Sequence, residues 1–237
     1  MIKFLKSIYI SPGIEDRVAN NSLNTQILKL KKEFKGKKDK KFGLERIVRL
    51  LLLVQAFIFP AIWFRSLCGQ KSKIKKKIFI EIYVLIKVFI MVVLAIDIFK
   101  LSSIKIYLVI YFMVETLFYL LSIVFLDDVH EKAISFSRSL LLLFINYFEI
   151  TMAFSILYRY FWIKDEIVVN LSKVTSLSSI DAIYFSFVTA STIGYGDIVP
   201  INDSIKIIII IQSIIIFLFG MLFFNKFISA LGEKENK

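Results

Sequence analysis

Few residues in this 237-residue chain have the types and spacing to do chemistry. A single cysteine, Cys68, excludes an intrachain disulfide, and with a single histidine, His130, no Cys/His metal cluster can be assembled. Both lie at the edges of apolar runs. No set of nucleophile, base or metal ligands appears inside those runs, which argues against an intramembrane enzyme. Two constellations remain. One is TASTIGYGDIVP, Thr189 to Pro200, where two glycines flank a tyrosine and an aspartate closes the run. Gly194 and Gly196 have no Cβ to clash at positive φ, so they free the backbone for conformations that other residues avoid. The other is a trio of charges, Lys87, Glu115 and Glu149, deep in apolar surroundings where an unpaired charge is expensive.

The elements that must position these residues are mostly membrane. The chain is 57% hydrophobic, and several runs approach or exceed the ~20 apolar residues that span a ~30 Å hydrocarbon core, so a polytopic membrane protein is expected. Five apolar segments follow a basic arm (residues 1–46): A (47–64), B (78–99), C (104–126), D (139–163) and E (205–231). The formal charge of +12 gathers beside these segments, where the positive-inside rule explains it, and no nucleic-acid partner is expected. Within the arm, KLKKEFKGKKDKK reads as a solvated cytoplasmic face, with an anchor on anionic lipid head groups as the alternative.

The stretch between D and E differs. A polar run is followed by IDAIYFSFVTA (180–190), apolar but too short to cross a bilayer. A short helix ending in a glycine loop at membrane depth is allowed only where protein or a water-filled cavity surrounds it, so the segment is expected to re-enter. Ser178-Ser179-Ile180-Asp181 reads as a capping box that starts this helix.

Thr192-Ile193-Gly194-Tyr195-Gly196-Asp197 resembles the selectivity-filter signature of potassium channels, and the likeness extends over DAIYFSFVTASTIGYGDIVP into segment E. The resemblance covers residues 138–237. It implies an all-α membrane protein with D as outer helix, 180–190 as re-entrant pore helix, 192–196 as filter and E as inner helix. Two or three extra membrane helices precede them: a two-helix unit (78–137) and the doubtful segment in 47–77. The implied function is passive potassium conduction through a homotetramer in the cell membrane, with no cofactor and potassium as the permeant ion. One chain holds one filter motif, and a closed ring of carbonyls needs four.

In such a filter, rings of backbone carbonyls replace the water stripped from a potassium ion. Thr192, Ile193, Gly194, Tyr195 and Gly196 would supply them, with the Thr192 hydroxyl as a further oxygen. Consecutive carbonyls point inward only if the backbone alternates, which the two glycines permit. Ile193 and Tyr195 would turn their side chains away from the ion. Tyr184 and Phe185 on the pore helix are the expected partners of Tyr195, at positions where many family members carry tryptophan. Asp197 would ring the outer mouth and concentrate cations. Val188 stands where some relatives place a carboxylate behind the filter, so that pairing is absent. The C-terminal end of the pore helix would face the cavity with its partial negative charge. On the inner helix, Ser213, Ile216 and Gly220 recur at helical spacing and are candidates for the cavity lining, with Gly220 as a gating bend or as a packing glycine.

The pore assignment sets an orientation in which both termini are cytoplasmic. The loop before B, RSLCGQKSKIKKK, carries six basic residues and no acid, in agreement with a cytoplasmic position. Segment A contains Gln55 and Pro60, and a re-entrant or interfacial A is preferred over a fifth span because it keeps both basic flanks inside. Lys87, Glu115 and Glu149 fall at comparable depth, so Lys87 is expected to contact Glu115 or Glu149, as a gating element or as a structural pair. Neither B nor C has the regularly spaced arginines of a voltage sensor. With no nucleotide- or calcium-binding stretch after E, the gate is expected to act through the membrane helices, the basic arm or a separate subunit. A poorly selective cation channel and a nonconducting sensor or accessory subunit are the competing readings.

Overall fold

The computed structural model describes residues 27–28, 30–31, 43–59, 73–96, 102–126, 136–164, 177–200 and 203–235. Most of the basic arm, Pro60 and the rest of segment A, Cys68 and the basic loop, and His130 lie outside the described residues. Among the described residues there are six helices and no strand: α1 (Leu44–Ile58), α2 (Lys73–Ala95), α3 (Ser103–Phe125), α4 (Phe136–Lys164), α5 (Ser179–Ala190) and α6 (Asp203–Glu235). The chain divides into two compact units, Met1–Tyr83 and Val84–Lys237, with the boundary inside α2.

Four helices, α2, α3, α4 and α6, are long and apolar enough to cross a membrane. The chain is an all-α, multi-pass membrane protein. In α6 the run IKIIIIIQSIIIFLF is helical although β-branched residues favour strands. In hydrocarbon every backbone polar group must be satisfied within the segment, and that requirement overrides propensity. α2 begins at Lys73 and ends at Ala95, displaced from the expected 78–99, because lysines are good helix formers and extend the helix ahead of its apolar part. In the first unit, α1 holds 15 residues, with Leu52, Leu53 and Gln55 buried and Leu51 and Val54 exposed.

The second unit is organised around α4. Every residue from 149 to 158 is buried, the pattern of a helix covered on all sides. α3 packs on it, and so do α5 and α6, which also touch each other. The shared core gathers Met91, Val109, Ile150, Phe154, Phe185 and Phe219. Aromatic rings join the layers: Phe148 to Phe187 at 5.6 Å, and Tyr147 edge-on to Phe219 at 5.7 Å. α6 buries Ile205, Gln212, Ile215 and Phe219 on one face. Its exposed residues Ile207, Ile210, Ile214, Phe217, Met221 and Phe224 repeat at alternating three- and four-residue steps, forming a second apolar stripe.

Candidate functional site

α5 holds 12 residues, about 18 Å at ~1.5 Å per residue, and cannot cross the ~30 Å core. Its start is fixed by a capping box. The Ser178 hydroxyl accepts from the Asp181 amide at 3.1 Å, and the Asp181 carboxylate accepts from the Ser178 amide at 3.1 Å.

Its other end closes in a Schellman motif. The Ile193 amide donates to the Val188 carbonyl and the Thr192 amide to the Thr189 carbonyl, both at 3.1 Å, with Thr192 at φ 59°. Glycine is usual at that position, and a β-branched residue there is strained. Val188 thus serves the loop through its backbone. The Ser191 hydroxyl adds bonds to the Phe187 and Val188 carbonyls at 2.8 and 3.1 Å. Three of the last four carbonyls of α5 are therefore occupied locally.

Beyond the cap, φ is positive at Thr192 (59°), Gly194 (58°) and Gly196 (77°), and at neither Ile193 nor Tyr195. This every-second-residue alternation differs from a β-strand, in which φ keeps one sign. Residues 191–197 are exposed, and a Cβ built on Gly194 or Gly196 meets nothing within 4 Å. The glycines are therefore needed for their conformation rather than for space.

The two α5 aromatics expected against Tyr195 differ in their contacts. The Tyr184 and Tyr195 rings are parallel, 1° apart in orientation, with centroids at 6.5 Å. The Tyr184 hydroxyl donates to the Asp197 carboxylate, which holds the phenol's proton and pushes it up to about 12. Asp197 also accepts from the Ile198 amide at 3.0 Å. Phe185 is buried and sets its ring edge-on to Tyr158 of α4 at 4.9 Å.

A buried polar chain ties the three helices together. The Tyr158 hydroxyl of α4 donates to Gln212 Oε1 of α6. Gln212 Nε2 donates to the carbonyl of Ser186 on α5 at 3.0 Å and lies 3.2 Å from its hydroxyl. The Ser186 hydroxyl donates to the Thr151 carbonyl of α4 at 2.7 Å. All four residues are fully buried. Sequence reasoning missed this chain. Its signal was a lone glutamine in an isoleucine run, since a polar side chain in a membrane span needs a partner.

Residues 88–233, more than half of the chain, match a family described as "Ion channel". This chain belongs to that ion-channel family. The chain is also similar to Two-pore potassium channel 4 of Arabidopsis thaliana, 45% identical over 60 residues that make up 24% of this chain and 20% of the relative. The matched part of the chain therefore spans a fifth of that relative's length. No solved structure matches the chain.

The structure brings Lys87, Glu115 and Glu149 together. Lys87 Nζ of α2 lies 3.0 Å from Glu149 Oε1 of α4 and 3.5 Å from Glu115 Oε2 of α3. Thr116, which sequence reasoning also missed, accepts from Lys87 and donates to Glu149 Oε1 at 3.0 Å. On α6, Ser213 is exposed and its hydroxyl folds back to the Ile209 carbonyl at 2.9 Å. Ile216 is half-buried, and Gly220 is exposed with nothing within 4 Å of an added Cβ. Within one chain, then, no close packing requires Gly220.

Proposed function

We propose that the protein is a potassium-selective channel that passes potassium down its gradient through a homotetrameric pore. The observation that carries the reading is the alternating sign of φ at Thr192, Gly194 and Gly196, in a loop that is exposed in a single chain. Such alternation turns successive carbonyls to one side, and four copies around an axis would form stacked oxygen rings in place of the ion's water. The Thr192 hydroxyl, now 2.7 Å from the Ser191 carbonyl, lies at the start of the loop and would add a further oxygen to the ion's path.

The supports behind the loop fit this role. Tyr184 holds both Tyr195 and Asp197, and the Gln212–Ser186 bond ties the pore helix to the inner helix. Carbonyls that discriminate ions must be held at a set spacing or field strength, and these contacts supply that restraint. Asp197 would form a ring of carboxylates at the outer mouth. Potassium enters as cargo and no cofactor is required. In this reading the filter opens outward and both termini are cytoplasmic, which leaves the basic arm beside anionic lipid head groups.

The test is the reversal potential of purified protein in planar bilayers under opposing potassium and sodium gradients. Reversal at the potassium equilibrium value, degraded in Gly194→Ala, is the expected result. Reversal midway between the two equilibrium values would replace selectivity with a general cation pore. Silence from folded tetramers in both bilayers and liposome flux would overturn conduction and favour a sensor or accessory subunit.

A further inference from the structure

The buried hydrogen bonds among α4, α5 and α6 form a circuit that starts and ends on α4. Tyr158 donates to Gln212, Gln212 donates to the Ser186 carbonyl at 3.0 Å, and the Ser186 hydroxyl returns to the Thr151 carbonyl at 2.7 Å. The direction of this circuit is fixed. A carbonyl can only accept, so Gln212 must turn its NH2 group to Ser186 and its own oxygen to Tyr158.

The hold that α6 takes on α5 is on backbone. Ser186 lies one turn before Ala190, the last residue of α5. The residues between them, Phe187, Val188 and Thr189, supply the carbonyls that close the helix where Thr192 takes its positive φ. A change in where Ser186 sits is therefore passed to Thr192 through a single turn of hydrogen-bonded chain. The same turn also meets α4 through Phe187 and Phe148, whose rings lie 5.6 Å apart. Apolar contact is non-directional and lets surfaces slide, whereas a hydrogen bond weakens steeply off its axis.

We propose that Gln212 is a positioning residue that sets ion preference: its bond to the Ser186 carbonyl fixes the last turn of α5 against α6, and with it the carbonyl spacing of residues 192–196. The proposal rests on the potassium-channel reading and names the residue through which α6 governs the loop. Gln212 touches no ion and acts only through Ser186. Tyr158 aims it, and the Thr151 carbonyl sets the level of Ser186 on α4. Without the Gln212 bond the helices remain packed by their apolar faces, but the end of α5 is free to shift. Ion preference then falls while the fold persists.

The test is the reversal potential of the reconstituted full-length protein under opposing potassium and sodium gradients, with thermal midpoints taken on the same samples. The wild type should reverse at the potassium equilibrium value, and Gln212→Leu should move toward the midpoint between the two equilibrium values. The double variant Gln212→Leu/Tyr158→Phe separates position from stability. It strands neither polar partner, so the thermal midpoint should partly recover while the reversal potential stays shifted. Val109→Ala, a buried change on α3 outside the circuit, should lower the thermal midpoint and leave the reversal potential in place. A selective wild type beside an equally selective double variant overturns the proposal and leaves the channel reading intact. A shift in Val109→Ala as large as that in Gln212→Leu does the same. A nonselective or silent wild type overturns the channel reading, and the proposal with it. The double variant decides even if Gln212→Leu alone fails to fold.

Discussion

Gln212 reaches from the long helix α6 to the Ser186 carbonyl at 3.0 Å, at a level where that helix is otherwise isoleucine. Its other end accepts from Tyr158. Gln212→Leu strands both partners and is expected to destabilise the protein by about 1–3 kcal/mol. A double-mutant cycle with Tyr158→Phe should return a coupling of ~0.6–1.7 kcal/mol, the range for polar contacts between membrane helices. Reversible unfolding in mixed micelles measures both.

Thr192 occupies a left-handed conformation that costs an ordinary residue about 1–2 kcal/mol. Thr192→Gly should recover roughly 1 kcal/mol of that strain and raise the thermal midpoint. Thr192→Val keeps the strain and loses the hydroxyl, so it should show no gain. Equal midpoints for Thr192→Gly and the wild type would count against a strained cap.

The Tyr184 hydroxyl has its pKa raised from 10.0 to about 12 by the bond to Asp197. A raised folded value means that the contribution of this contact is complete below pH 10 and disappears as pH climbs through about 12. The stability difference between wild type and Tyr184→Phe should therefore be flat through neutral pH and shrink above pH 10. Tyrosinate absorbance, titrated in both proteins, follows the same proton directly.

Gly220→Ala separates two roles for this α6 glycine. A Cβ there meets nothing in its own chain, so in a straight helix the change should stabilise by roughly 0.5–1 kcal/mol. Destabilisation instead would mean that copies pack closely at Gly220 or that the helix bends there. Thermal melts read together with the oligomer's elution volume distinguish the cases.

Local chemistry made part of this architecture readable in the sequence. The capping box at Ser178 and the glycines at 194 and 196 act within a few residues of themselves, so type and spacing were enough. The charges at Lys87, Glu115 and Glu149 were readable for another reason: hydrocarbon leaves few tolerable places for them. Thr116, Ser186 and Gln212 were not readable, because one hydroxyl or amide in a span has several candidate partners and spacing along one helix does not choose among them. The positive φ at Thr192 was hidden too. It follows from how α5 ends, and nothing about threonine advertises it.

Thr192 belongs at once to the close of α5 and to the alternation that continues through Gly196. No residue is spare between them. Adding one amino acid between Ala190 and Gly194 would shift the phase of the alternation by half a period, so the left-handed positions would fall on Ile193 and Tyr195 instead of the glycines while the composition barely changed. The segment can accept replacement side chains, but it has no room for a change of length. Across descendants of this chain, insertions should gather in the connections on either side and leave this stretch at a constant count.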